Sequence, residues 1–342
     1  MKRIISLILA VLTLTAFTAC STDKSASSSA GSTSSAASKA AKSYEVNLAA
    51  LAGPTGMGMA FMLDSSDTLN KYNHTIANAP DEVTAKLLKG DYDIAALPTN
   101  VAATLYNGSE GKIQLLALNT LGVLYILEKG DTIKSIADLK GRKIYVSGQG
   151  STPEFVLDYL LEKNGLDPEK DVDIDFTYTT HADLVAFAAT GEADVVMLPE
   201  PTVTALLAKN SDMRVALDLN DAWSAAVKGT DDEGSVISMG CVAVRKDFAE
   251  KNPEAVENFL IDYKNSVDKV NSDTDAAAEK IAELGIVAAA PVAKQALPRC
   301  NIVLISGRKM KEQVGSFFKV LFDANPKSVG GTLPDEGFYY AG

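Results

Sequence analysis

Short apolar runs and amphipathic stretches take turns along most of this chain, an order that points to an α/β architecture. Tyr44 to Leu51 begins with alternation and becomes wholly apolar, as a strand covered on both faces does. The glycine-rich turn Gly53-Pro54-Thr55-Gly56-Met57-Gly58 follows, and Met59 to Leu63 is expected to open a helix. The spacing predicts a helix over Asp81 to Leu88, with Asp81 as N-cap and Gly90 as its stop. Tyr92 to Leu97, Ile113 to Leu118 and Val123 to Leu127 read as strands. A second series starts near Gly141, with a strand at Lys143 to Val146 and the polar turn Ser147-Gly148-Gln149-Gly150-Ser151-Thr152. A helix is predicted from Pro153, which has no N–H to leave unpaired at a first helical position, to Asn164. A strand at Asp173 to Tyr178, a helix at His181 to Ala189 and a strand at Ala193 to Leu198 complete that series. From Ser235 the pattern changes to one more strand, Ile237 to Arg245, expected to cross back to the first half. Helices follow near Pro253 to Val270, Asp273 to Leu284, Ala288 to Leu297 and Lys309 to Phe322.

One unit occurs twice. Leu87-Leu88-Lys89-Gly90-Asp91-Tyr92-Asp93-Ile94-Ala95-Ala96-Leu97-Pro98 and Ala188-Ala189-Thr190-Gly191-Glu192-Ala193-Asp194-Val195-Val196-Met197-Leu198-Pro199 share the order helix end, Gly, acid, Asp, four apolar residues, Pro. Each copy lies downstream of its own strand, glycine turn and helix. The reading is two α/β lobes of similar build, with lobe 1 at 44–140 plus 241–342 and lobe 2 at 141–240.

The chain's beginning reads as an address. Lys2 and Arg3 precede an apolar stretch, Ile4 to Phe17, of secretory length, and Phe17-Thr18-Ala19-Cys20 looks like a lipobox. Residues 1–19 are thus expected to be a lipoprotein signal peptide, with Cys20 acylated. Residues 20–43 are the lipidated Cys and a Ser/Ala-rich tether without apolar period. That places the protein outside the cytoplasm, held to the cell membrane by lipid. The formal net charge of -12 argues against nucleic acid as a partner. With only His74 and His181, and Cys241 and Cys300 beyond the lipidated one, no metal site, cofactor or catalytic triad is expected. The two cysteines are either paired or two buried thiols.

The lipobox and tether, Leu139-Lys140-Gly141-Arg142-Lys143-Ile144, the turn Gly148 to Thr152, and Met197-Leu198-Pro199-Glu200-Pro201 together resemble the substrate-binding proteins of nitrate, sulfonate, taurine and bicarbonate ABC importers. That group is similar to the thiamine-pyrimidine synthase and precursor-binding family. The resemblance spans about residues 44 to 325 and implies a two-lobed periplasmic-binding-protein type II fold, each lobe a mostly parallel sheet flanked by helices. It implies a monomer that hands a small ligand to a permease and its ATPase. Pro199 stands where that family has a Trp, so the stacking the Trp gives is absent.

In such a fold, ligands bind at the carboxyl ends of the strands. The candidates are therefore Gly53, Pro54, Thr55, Gly56 and Met57, whose backbone N–H groups and hydroxyl would cradle a polar group unless this is only a tight turn. Thr99 and Asn100, Asn119, the turn Gln149, Gly150, Ser151 and Thr152, and Glu200, as acceptor for an ammonium or ring N–H, complete the set. Two other readings are an enzyme on the same fold and a ligand-sensing lipoprotein. An export signal and the lack of a placed nucleophile weigh against the enzyme.

Overall fold

The structure, a computed structural model, describes residues 42–342. The signal peptide, Cys20 and the tether up to residue 41 lie outside the described residues. Among the described residues no helix is long and apolar enough to cross a membrane.

The chain first builds β1 (Glu45–Leu51), α1 (Pro54–Met57), β2 (Lys71–Ala77), α2 (Pro80–Lys89), β3 (Ile94–Pro98), α3 (Thr99–Gly108) and β4 (Ile113–Leu121). Next come β5 (Leu124–Lys129), β6 (Lys143–Val146), α4 (Thr152–Lys163), β7 (Asp173–Asp175), α5 (His181–Ala188), β8 (Val195–Pro199), α6 (Thr202–Lys209), β9 (Met213–Asp218) and α7 (Leu219–Val227). The return is β10 (Ser238–Arg245), followed by α8 (Lys246–Lys251), α9 (Pro253–Ser272), α10 (Thr274–Glu283), α11 (Ala290–Ala296), β11 (Ile302–Ser306) and α12 (Gly307–Ala324).

Two sheets result, in the orders β11-β4-β10-β3-β1-β2 and β7-β6-β8-β5-β9. Read from β2 and from β7, their first five strands follow one plan. Two parallel strands and a third in the same direction lead to an antiparallel strand lent by the other part of the chain, and a last strand follows. The repeat seen in the sequence is physical: β3 and β8 hold the same place in their sheets and begin 101 residues apart. Pro98 and Pro199 end these strands, where a missing N–H costs no ladder bond. The predicted Asp81 cap moves by two residues. Helix α2 starts at Pro80 after Ala79, Asp81 falls in its first turn, and Gly90 ends it with left-handed φ and bonds back to Leu87 and Lys86.

The sheets also correct the lobe boundary. Leu124–Lys129 pairs with β8 and β9, so the second lobe begins just after Gly122 rather than at Gly141. Loop length is the physical reason. The Lys140-Gly141 segment is an ordinary turn within the second lobe, whereas Gly122 and Val123 are all that separates β4 of one sheet from β5 of the other. The second crossing returns through Val236 and Ile237 into β10, which enters the first sheet between β3 and β4.

Side chains alternate along the strands to fill both faces. In β1, Ala49 and Leu51 join one core with Leu87 and Phe317, while Val46, Leu48 and Ala50 join another with Met57, Phe259 and Ile281. A third core lies in the second lobe around Leu184, Val196 and Leu206. The first of these runs unbroken through both lobes, because Trp223 of α7, only 1% exposed, lies between Tyr159 of α4 and Phe317 of α12 at ring-centroid distances of 4.6 and 6.0 Å. Its indole N–H donates to Ser235 Oγ at 3.1 Å, so the ring is buried without an unpaired donor. Cys241 and Cys300 are free and buried. Replacing Trp223 with Ala should lower stability by about 3–5 kcal/mol, read from urea unfolding, because the cavity would lie where the lobes meet.

Candidate ligand-binding cleft

Both sheets bring the carboxyl ends of their parallel strands to the crossing. In the first lobe, β3 and β4 end at Pro98 and Leu121 beside the start of β10. In the second, β8 ends at Pro199 beside the start of β5, and the Glu200 amide donates to the Val123 carbonyl at 2.9 Å. Strand-tip loops of both lobes therefore converge on residues 121–123.

The turn at 53–58 is held internally. Gly53, with φ of 94°, donates its N–H to Ile286 at 2.8 Å, and Gly56 donates to Gly53 at 3.0 Å. A side chain at Gly56 would run into the Leu51 carbonyl, so this glycine serves close packing. Met57 is wholly buried in the first-lobe core, which corrects its expected place in the ligand wall: the single turn of α1 directs it at the sheet. Gly53, Pro54 and Thr55 stay half-exposed at the strand end. Thr99 and Asn100 open α3; Thr99 is buried with its hydroxyl 2.9 Å from that of Ser238.

Asn119 is the most constrained of the candidates. Across β4 and β10, Gly240 faces Thr120 and Cys241 faces Leu118, so Asn119 is the extra residue of a β-bulge. Its Nδ2 donates to the Thr55 carbonyl at 2.9 Å, which fixes the orientation of the amide and ties the glycine turn to the sheet. Its Oδ1 and the Thr120 hydroxyl are buried without a partner. Both converge on Gly240, at 2.5 and 3.1 Å from where a Cβ on that residue would stand.

In the second lobe, Gln149 and Gly150 are exposed at the tip of the turn, Ser151 is half-buried and Thr152 is buried at the start of α4. Gly150 donates its N–H to the Glu154 carboxylate, and Ser151 donates its N–H to the Gly148 carbonyl at 3.2 Å. The Ser151 hydroxyl also turns to Gly148 rather than capping the helix. Ser147, buried at the end of β6, bonds His181 Nδ1 at 2.6 Å. Burial holds the His181 ring below its ordinary pKa, so it is neutral at pH 7. A groove of about 620 Å³ lined by Gln149, Glu154, Asp158, Asp171 and Phe176 belongs to second-lobe residues alone.

Glu200 departs from its expected role. Its carboxylate, with no exposed surface, takes an ion pair from Arg299 and bonds from the Thr204 amide and hydroxyl at 3.1 Å each. Arg299 lies in the 3₁₀ turn Leu297–Arg299 of the first lobe, and its Nη2 also donates to Thr204 at 2.8 Å. Tyr125 of β5 donates to the Arg299 carbonyl at 2.8 Å. Three second-lobe residues thus grip one first-lobe turn, and Glu200 has its acceptors engaged there. Sequence reasoning named the Asn119-Thr120 pair but missed Arg299, Ser238 and Gly240. The signals available were a lone glycine inside an apolar strand, which hints at a bulge, and the polar pair Asn119-Thr120 at a strand end.

Against this geometry, the family model described as ABC transporter, phosphonate, periplasmic substrate-binding protein matches residues 75–296. No curated protein matches the sequence. An ABC transporter structure from Parabacteroides distasonis shares 27% identity over 86% of this chain and 98% of its own, with a TM-score of 0.73. The periplasmic aliphatic sulphonate binding protein SsuA from Escherichia coli shares 19% identity over 86% of this chain and 92% of its own, with a TM-score of 0.65. The alkanesulfonate-binding protein SsuA from Xanthomonas axonopodis pv. citri bound to MOPS shares 16% identity over 85% and 94%, with a TM-score of 0.56. At these identities the two sulfonate binders establish a shared fold.

Arg299→Ala leaves a carboxylate buried without its counter-charge. Stability should drop by about 3–5 kcal/mol in chemical denaturation, and the double change with Glu200→Gln should recover part of that loss.

Proposed function

Because the chain belongs to the family of phosphonate ABC-transporter periplasmic substrate-binding proteins, we propose that it is an extracytoplasmic solute-binding lipoprotein. It captures a small ligand between its lobes and delivers it to an ABC permease. The observation that carries this reading is the convergence of two matching sets of strand tips on the two-residue crossing at Gly122. Such an arrangement gives a ligand polar groups from both sides and lets the lobes close around it. Gly53, Pro54 and Thr55, Thr99, Asn100 and Asn119 from the first lobe, and Gln149, Gly150, Ser151 and Thr152 from the second, are the proposed contacts. Glu200 acts beside them by setting how the lobes meet. No residue is assigned a catalytic role.

The family's description and the sulphonate-binding neighbours put phosphonates and sulfonates first among the ligands to try; pyrimidines and amino acid derivatives widen the screen. A true ligand at a hundredfold excess over Kd should stabilise the protein by about 2.7 kcal/mol in a thermal-shift screen. A screen of these classes in which no compound moves the melting temperature would remove the receptor reading, while turnover of a bound compound would replace it with an enzyme.

Membrane attachment rests on Phe17-Thr18-Ala19-Cys20 and the tether that follows. Cys20→Ala should release the protein from the membrane fraction into the soluble one; retention of the variant would overturn the lipid anchor.

A further inference from the structure

We infer that Asp158 of α4 is a proton-dependent brace between the two lobes: with its carboxyl neutral the seam between α4 and α12 closes, and with it ionised charge repulsion loosens that seam. Such a brace acts whatever ligand the cleft takes, so it stands or falls apart from the receptor reading.

The seam is a contact between lobes. Asp158 lines a groove of about 530 Å³ that α4 shares with Ser316, Lys319, Val320 and Asp323 of α12. In the same groove the Ser316 hydroxyl donates to the Asp232 carboxylate of the second lobe at 2.7 Å. Tyr159, which also lines it, packs on Trp223, and Trp223 packs on Phe317 of α12. α4 starts at Thr152, directly after the turn of Gln149 to Ser151, and Glu154 accepts from the Gly150 N–H. The brace and the tip of the second lobe therefore ride on one helix.

Charge around Asp158 is nearly all of one sign. Glu154, Asp158 and Glu162 stand four residues apart on one face of α4, an arrangement that costs stability when all three are ionised. Glu169, from the loop after the helix, faces the same carboxyl. The grooves that Asp158 lines add Asp167, Asp171 and Asp173 on the second-lobe side, and Asp232 and Asp323 toward α12. Three lysines line these grooves, and each is engaged elsewhere. Lys170 pairs with Asp167, Lys319 pairs with Asp323, and Lys163 lies over the Tyr159 ring at 5.2 Å. Among the described residues no cation or hydrogen-bond donor engages Asp158. Half-buried and without a partner, its carboxyl is pushed up to about 6, by burial first and then by Glu154, Glu162 and Glu169. A carboxyl raised in the folded state destabilises that state when ionised. The penalty is full above about pH 6 and vanishes as pH falls into the ordinary carboxylate range.

Trp223 is the only tryptophan of the chain, and its place between Tyr159 and Phe317 makes its fluorescence a report on the seam. In the full chain its emission should move to the red as pH rises, with a midpoint at about 6. Asp158→Asn should hold the acid-side emission throughout. Water screens part of the effect at a half-buried group, so this variant should raise the melting temperature at neutral pH by about 2–4 °C. That gain should vanish below about pH 4, where the native carboxyl is neutral as well. Glu162→Gln, which removes one neighbouring charge, should move the midpoint to lower pH, and it carries the test if Asp158→Asn fails to fold. An emission that does not change with pH would overturn the inference. So would a change that persists in Asp158→Asn, which would then belong to His74 or His181, the only histidines. A midpoint unmoved in Glu162→Gln counts the same way, as does an Asp158 carboxyl that titrates near 6 by NMR while Trp223 stays silent.

Discussion

A carboxylate with no exposed surface needs its counter-charge close by, and for Glu200 that charge comes from the opposite lobe. Arg299 reaches it from the first lobe, and Thr204 bonds both partners. The same few residues hold the crossing itself. The Gly122 carbonyl accepts from Asn301 Nδ2 of the first lobe at 2.7 Å and from Asn220 Nδ2 of the second at 2.8 Å. A side chain at Gly122 would collide with Asn220, so the crossing strand can lie this close only as glycine. The placement of the two sheets, and hence of every strand-tip loop, follows from this clasp.

Packing reinforces what the charges fix. The core shared by α4, α7 and α12 through Trp223 makes the lobes continuous on one side of the crossing. The ion pair and the Tyr125–Arg299 bond hold another contact near it. Polar residues at the strand tips are therefore set on a scaffold whose geometry is decided elsewhere, which is what a selective binding site requires. Within that scaffold most polar groups are satisfied by the protein itself. The buried oxygens of Asn119, Thr120 and Tyr263 are among those that are not.

Much of this was legible in the sequence. The alternation of apolar runs with helical periodicity gave the strands other than β2, β9 and β11, and the repeat ending at Pro98 and Pro199 gave two lobes of one plan, because burial imposes the same local pattern wherever a parallel strand enters a core. The loops near the site, 53–58, 98–100, 119–120 and 147–152, followed from the rule that such loops lie at strand ends. The boundary at 141 was misplaced because a strand lent to the other lobe carries no mark of its destination; Leu124–Lys129 reads the same in either sheet. Met57 and Glu200 were misjudged for a related reason. Their residue types suit a ligand wall, and only their neighbours show that one fills a core and the other answers an arginine 99 residues away.

By itself, then, the sequence determined most of the elements, their repetition and the loops that gather at the strand tips, since these are set by local periodicity and residue type; it did not mark β2, β9 or β11, and the helix expected at Met59 to Leu63 is the single turn Pro54–Met57 followed by turns. Which side chains meet was decided only by the tertiary structure. The bulge that turns Asn119 toward Gly240, the clasp of Glu200 by Arg299 and the double hold on Gly122 each join residues distant in the chain. Those contacts depend on how sheets pack and strands shift register, and no local pattern encodes them.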